Sequence, residues 1–277
     1  MRFAEAYLAQ LAQIETRLRL PAVRALHLPP IAAAQRKNGE FSAIELDDGS
    51  LGLSYVMLDD TLRRLLASNA GAGVVGLPAM ALARAYANGS GVECTLGFAA
   101  ANAITRHFLD RVGYVPPDSA DSVGALAPMA GDRIGMIGYF RPLAERIVAT
   151  GAQLVVVELD AALAGAQAGY EVTTDAEVLG ACNKVLSTST ILLNDTLDRM
   201  LARCAGAGRI ALIGPSAGCL PDALFARGVS SLGGSWVTDP TGFVEALNAG
   251  EGWSRYARKS VVSAQDWPGF AGLLARL

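Results

Sequence analysis

Residues 133–159 read RIGMIGYFRPLAERIVATGAQLVVVEL, and this stretch decides the fold. Two short, almost uninterrupted apolar runs, RIGMIGYF (133–140) and QLVVVEL (153–159), flank a segment with helical spacing from Arg141 to Thr150. A strand that is apolar on both faces must be covered on both faces, which a parallel sheet with crossover helices achieves. The pattern continues toward the C-terminus. Val185–Ser189, RIALIG (209–214) and Val229–Val237 read as further strands. Asn194–Cys204, a short segment from Asp222, and Gly242–Ala249 read as helices. The expectation is an α/β protein whose second half carries a mostly parallel, Rossmann-like sheet.

Upstream the pattern differs. Phe3, Tyr7, Leu8, Leu11, Ile14 and Leu18 repeat at helical spacing, and Pro21 stops that helix. An extended stretch at Val23–Leu28 is followed by two prolines and a polar loop. Phe41–Leu46 and Leu51–Met57 alternate about the turn Asp47-Asp48-Gly49-Ser50, which predicts a hairpin. Ala-rich helices are expected at Leu77–Ala87 and Leu96–Leu109. The stretch PPDSADSVGALAPMAGD (116–132) reads as the connector between an α+β unit, residues 1–119, and the α/β unit, residues 120–277.

Composition narrows the function classes. The 277 residues are 52% hydrophobic and 18% charged with a net charge of -3, so a core can form and no cationic face for phosphates is concentrated anywhere. The longest uncharged run, Leu65–Ala83, contains Ser68, Asn69, three glycines and Pro78, and reads as a loop between helices rather than a membrane span. Glu5 interrupts the apolar stretch that a signal peptide would need, so the expected compartment is the cytoplasm. Nucleic acid and membrane are not expected partners, whereas the apolar Ala-rich helices leave room for a homodimer.

In an open parallel sheet ligands sit beyond the carboxyl ends of the strands. Candidates there are Gly138, Tyr139 and Arg141 after the first strand, Glu158 and Asp160 after the second, and the hydroxyl run Ser187–Thr190 with Asn194 and Thr196 after the third. Gly214, Pro215 and Ser216 follow the fourth, and Thr238-Asp239-Pro240 reads as a helix-starting turn. GMIGYF (135–140) lacks the third glycine of a dinucleotide fingerprint after the first strand, and no GxxxxGK[ST] occurs. Cys94, Cys182, Cys204 and Cys219 form no CxxC pair and read as buried free thiols, and His27 and His107 read as structural. Acidic residues such as Asp47 and Asp48 read as solvated turn groups.

The segments ECTLGFAAANAI (93–104), IGMIGYFRPL (134–143), LVVVELD (154–160), STSTILLNDTLDRML (187–201) and IALIGPSAGCLPDALFARGVSSLGGSWVTDP (210–240) resemble the "putative heavy-metal chelation" family. The resemblance implies an enolase-N-terminal-like domain joined to a Rossmann-like domain, with the ligand in the cleft between them. It implies ligand contacts from Glu93, Asn102, Tyr139, Arg141, Glu158, Thr190, Asn194, Gly214, Pro215 and Ser216. The expected function is binding of a small polar ligand, with a heavy metal or metal chelate as the cofactor-like guest. The alternative is an enzyme, such as a methyltransferase, that holds a nucleoside-containing cofactor with Glu158 on the ribose.

Overall fold

The structure is a computed structural model that describes residues 1–33, 39–121 and 123–277. Part of the polar loop expected after Pro30 (34–38) and Ser122 of the connector lie outside the described residues.

The chain opens with helix α1 (Phe3–Arg17) and an antiparallel sheet of β1 (Val23–His27), β2 (Phe41–Leu46) and β3 (Leu51–Tyr55) in the order β1-β2-β3. Helices α2 (Thr61–Ala67), α3 (Ala70–Val74), α4 (Ala79–Ala83) and α5 (Ala85–Asn88) precede the long α6 (Val92–Arg111). The run 65–83, read as a loop, is thus partly helical. Gly71 and Gly73 are tolerated in a helix of one turn, and Val75 and Gly76 end it before Pro78.

The second sheet has eight strands: β4 (Arg133–Ile137), β5 (Gln153–Val157), β6 (Gly165–Gln167), β7 (Tyr170–Thr173), β8 (Lys184–Thr188), β9 (Arg209–Ile213), β10 (Ser231–Val237) and β11 (Ala257–Ser263). Helices α7 (Arg141–Val148), α8 (Leu197–Arg203), α9 (Asp222–Phe225), α10 (Pro240–Ala249) and α11 (Phe270–Leu274) connect or follow them. The order is β11-β10-β9-β8-β4-β5-β7-β6, and the strands from β10 to β7 are all parallel. The protein is a mixed α/β fold with a mostly parallel sheet and a small antiparallel one. Sequence reading missed β6, β7 and β11. The first two form a short antiparallel hairpin at one edge, and β11 folds back antiparallel on β10 at the other. Edge strands are short or half-exposed, so they lack the apolar runs that marked the centre.

From β4 the chain moves to β5 and β7 on one side, then crosses to β8, β9 and β10 on the other. The switch point therefore lies between β4 and β8. At the opposite, amino end of these strands, buried Asp132 accepts from Lys184 Nζ (2.7 Å) and Asn183 Nδ2 (3.0 Å), tying β4 to β8.

Alternation in the hairpin predicted one solvated face, yet Phe41–Ile44 and Leu51–Ser54 are buried on both. Ser42, Ser54 and Gly52 face α6. A Cβ at Gly52 would overlap the backbone of Ala99 and Ala103, so only glycine admits the helix this closely. On the other face Ala43, Leu51 and Leu53 pack with Val237, Phe243 and Leu247. The small sheet is a middle layer between α6 and the β10–α10 region. A single apolar cluster runs from Ile44, Ala99 and Phe108 to Val185, Leu212 and Leu232, so the two halves share one core. The connector is also anchored: Ser119 N donates to Lys259 O (3.0 Å) on β11. Among the described residues no helix is long and apolar enough to cross a membrane.

Candidate functional site

The carboxyl ends of β4, β5, β8 and β9 open into a cleft of about 810 Å³. It lies at the topological switch point, where loops on either side diverge and leave backbone groups without sheet partners. Tyr139, Glu158, Thr190, Asn194, Gly214 and Pro215 of the expected set line it. Gly138 does too, at φ +84°, where a Cβ would press on Thr188 Oγ1 at 2.6 Å. The tight turn after β4 thus needs glycine, as its sequence suggested.

Residues that sequence reading missed build the facing wall. Phe41 and Tyr55 are opposite each other in the β2–β3 register, with ring centroids 5.6 Å apart, and Trp253 stands edge-on to Phe41 at 6.1 Å. The position of the turn at 47–50 would have paired Phe41 with Tyr55. Nothing local says that this face meets the strand tips of a distant sheet. Burial, with the carboxylates of Glu40 and Glu158 nearby, pushes the Tyr55 phenol up to about 12. Burial and a 2.8 Å hydrogen bond with Tyr139 Oη likewise push Tyr170 up to about 12. Both phenols are neutral at physiological pH.

The acidic lining is engaged by the loops themselves. Glu158 Oε2 accepts from Tyr139 N (2.8 Å), and Oε1 accepts from Leu159 N (2.6 Å) and Asp160 N (3.3 Å). Asp160 accepts from Ala162 N, and Asp121 from Val123 N and Ala125 N. A ribose at Glu158 would share the carboxylate with three backbone donors. Thr188 and Thr190 hydroxyls are 2.6 Å apart, and Asn194 Oδ1 accepts from Thr196 Oγ1 (2.5 Å). Thr196, not Asn194, directly precedes α8. Asp239 caps α10 through Gly242 N (3.0 Å), as its turn predicted.

Four expected contacts lie elsewhere. Asn102 is buried in α6: its Nδ2 donates to Leu53 O and Ser216 O, both at 2.9 Å, and its Oδ1 accepts from Tyr7 Oη (3.1 Å). It borders a separate cavity of about 60 Å³ that Pro215 also touches. Ser216 is fully buried, its hydroxyl 2.9 Å from Ser189 Oγ. Glu93 is exposed in the first turn of α6, outside the cleft lining. Arg141 is exposed at the start of α7 and paired with Glu145 (2.8 Å). The cleft is instead lined by cationic Arg146 and Lys259.

The donor set does not suit a soft metal ion held by the protein alone. Such an ion needs thiolates or imidazoles gathered in space. Among the described residues no three His, Cys, Asp or Glu side chains are gathered to hold one. Cys182, Cys204 and Cys219 are buried and Cys94 half-buried. Cys94, Cys182 and Cys204 are directed at the carbonyls of Tyr86, Val178 and Met200. Burial pushes Cys94 and Cys204 up to about 11 and Cys219 up to about 12. Each histidine pairs with a carboxylate: His27 Nε2 meets Glu45 (2.8 Å) and His107 Nδ1 meets Asp48 (2.5 Å). Asp48, expected in water, is thus the partner of a buried imidazole.

Comparison with known proteins agrees with this architecture. A family model described as "Putative heavy-metal chelation" matches residues 123–264, and a second with the same description matches 39–105. A DUF364-family protein of unknown function from Desulfitobacterium hafniense superposes with a TM-score of 0.70 at 23% identity, covering 94% of this chain and 98% of that one. Another from Pyrococcus horikoshii gives 0.66 at 18% identity, covering 93% and 100%. No curated protein matches the sequence. With more than half of its length matched by the first model, the chain belongs to the DUF364 family, described as "Putative heavy-metal chelation".

Proposed function

We propose that the chain binds a small polar organic ligand in the cleft between the strand tips of the large sheet and the aromatic edge of the small one. The observation that carries this reading is the cleft itself. It has room for a guest of metabolite size and an aromatic row on one wall. Hydroxyls and backbone of the switch-point loops form the other wall. The strand order supports reading residues 120–277 as Rossmann-like, with residues 1–119 as an enolase-N-terminal-like unit that closes the cleft from above.

Calorimetry with a panel of polar metabolites tests the proposal. A ligand that binds the native chain is expected to bind Thr190→Val about tenfold more weakly, the loss of one hydrogen bond. It is expected to bind Asp132→Asn unchanged, because Asp132 is at the far end of the strands. No ligand in the panel, or ligands indifferent to Thr190, would count against the cleft.

A further inference from the structure

We infer that a heavy metal reaches this chain only inside a complex whose organic part supplies the coordinating atoms, and that the chain is not itself the chelator. The inference rests on the cleft reading above and adds the class of guest. Its basis is where the donors are. Among the described residues the cleft lining contains no cysteine and no histidine. Three of its carboxylates, Glu158, Asp160 and Asp121, accept backbone N–H groups of their own loops. Turning one toward a cation would break the turn that presents Tyr139 or Val123. What the walls offer is suited to an organic periphery: rings at Phe41, Tyr55 and Trp253, and hydroxyls at Thr188 and Thr190. Such groups recognise a ligand shell and leave the coordination sphere intact.

The thiols outside the cleft do not rescue direct binding. Cys94 begins α6, Cys182 precedes β8, Cys204 ends α8 and Cys219 follows β9. Cys182, Cys204 and Cys219 are buried and Cys94 half-buried, so a bare ion would have to shed its water among largely apolar side chains to reach them. His27 is engaged by Glu45 and Asn248, and His107, bonded to Asp48 through Nδ1, is buried in α6 with no further metal-ligating side chain gathered at the pair among the described residues.

Metal-stripped full-length protein, titrated calorimetrically and weighed by native mass spectrometry, tests the inference. The probes are Zn²⁺, Cd²⁺ and Ni²⁺ alone, and the same ions as complexes with citrate and with 1,10-phenanthroline. The expected result is that at least one complex binds as metal plus chelator. Each bare ion should bind at least tenfold more weakly, and Thr190→Val should weaken only the complex. A bare ion bound one to one as tightly as its complexes overturns the inference. So does an ion stripped from its chelator by the protein, or failure of every complex to bind. Metal-free polar ligands in the same titration separate the two ideas: if they bind while complexes do not, the cleft reading stands and this inference falls. If neither binds, the cleft reading falls with it.

Discussion

The loops that follow β8 and β9 have two sides, and the sides differ in kind. On the inner side the polar groups that tie the loops to α6 and its neighbours are matched. Asn102 bonds to Ser216 O, Leu53 O and Tyr7, and Tyr86 Oη donates to Leu192 O at 2.6 Å. The surrounding residues, Phe98, Ala99 and Leu220, are fully buried. On the outer side the same loops present Thr190, Asn194, Gly214 and Pro215 to an open cleft. The contrast teaches a division of labour: α6 and its neighbours position the loops, and the cleft side is the one that, in the function proposed, receives the guest. Positioning from behind is what a preorganised site requires, because loops on their own sample many arrangements.

Breaking the inner side should have the largest effect. Asn102→Ala removes the amide donor from two buried carbonyls and leaves the Tyr7 hydroxyl with Thr105 alone, and is expected to cost about 3 kcal/mol or more. Urea denaturation would measure it, and a loss under 1 kcal/mol would mean that the network is not holding the seam. Tyr86→Phe keeps the ring and removes only the donor to Leu192 O. A cost of ~1–2 kcal/mol is expected, with ligand affinity falling as well if the loop after β8 shifts. Unchanged affinity would show that this loop is positioned by packing alone.

The smallest effect concerns the distal end of α6. Burial raises the Asp48 carboxyl, but hydrogen bonds from His107 and Ser50 outweigh it and hold the group below its ordinary value. Its contribution is therefore present above the unfolded-state value and is lost as pH falls through the lower folded one. Asp48→Asn should destabilise the protein at neutral pH and flatten the acid limb of stability below about pH 4. Ligand binding should be unaffected. An acid limb identical to the native chain would show that the pair contributes nothing.

How much of this was legible depended on how local the signal was. The apolar runs at 134–137, 154–157 and 210–213 specify central strands by themselves, since burial on both faces leaves no polar alternation. Glycine at 138 and the Asp239-Pro240 start of α10 follow from backbone geometry and capping, which are also local. The roles of Asn102 and Asp48 were not legible. An asparagine in an Ala-rich helix and an aspartate in a turn look alike whether they face a ligand, water or the core. Their partners, Ser216 and His107, are 114 and 59 residues away. The aromatic wall was hidden for the same reason, because Trp253 joins Phe41 only through the folding back of the chain after α10.

The two-sidedness of these loops can be measured without knowing the guest. Thr190→Cys and Ser216→Cys place a thiol on the outer and the inner side, against a background in which three native thiols are buried and one half-buried. Under native conditions a maleimide is expected to label Thr190→Cys at least tenfold faster than Ser216→Cys, the difference vanishing in denaturant. Equal native rates, or faster labelling at 216, would contradict the account: the cleft would then not be where the strand tips place it.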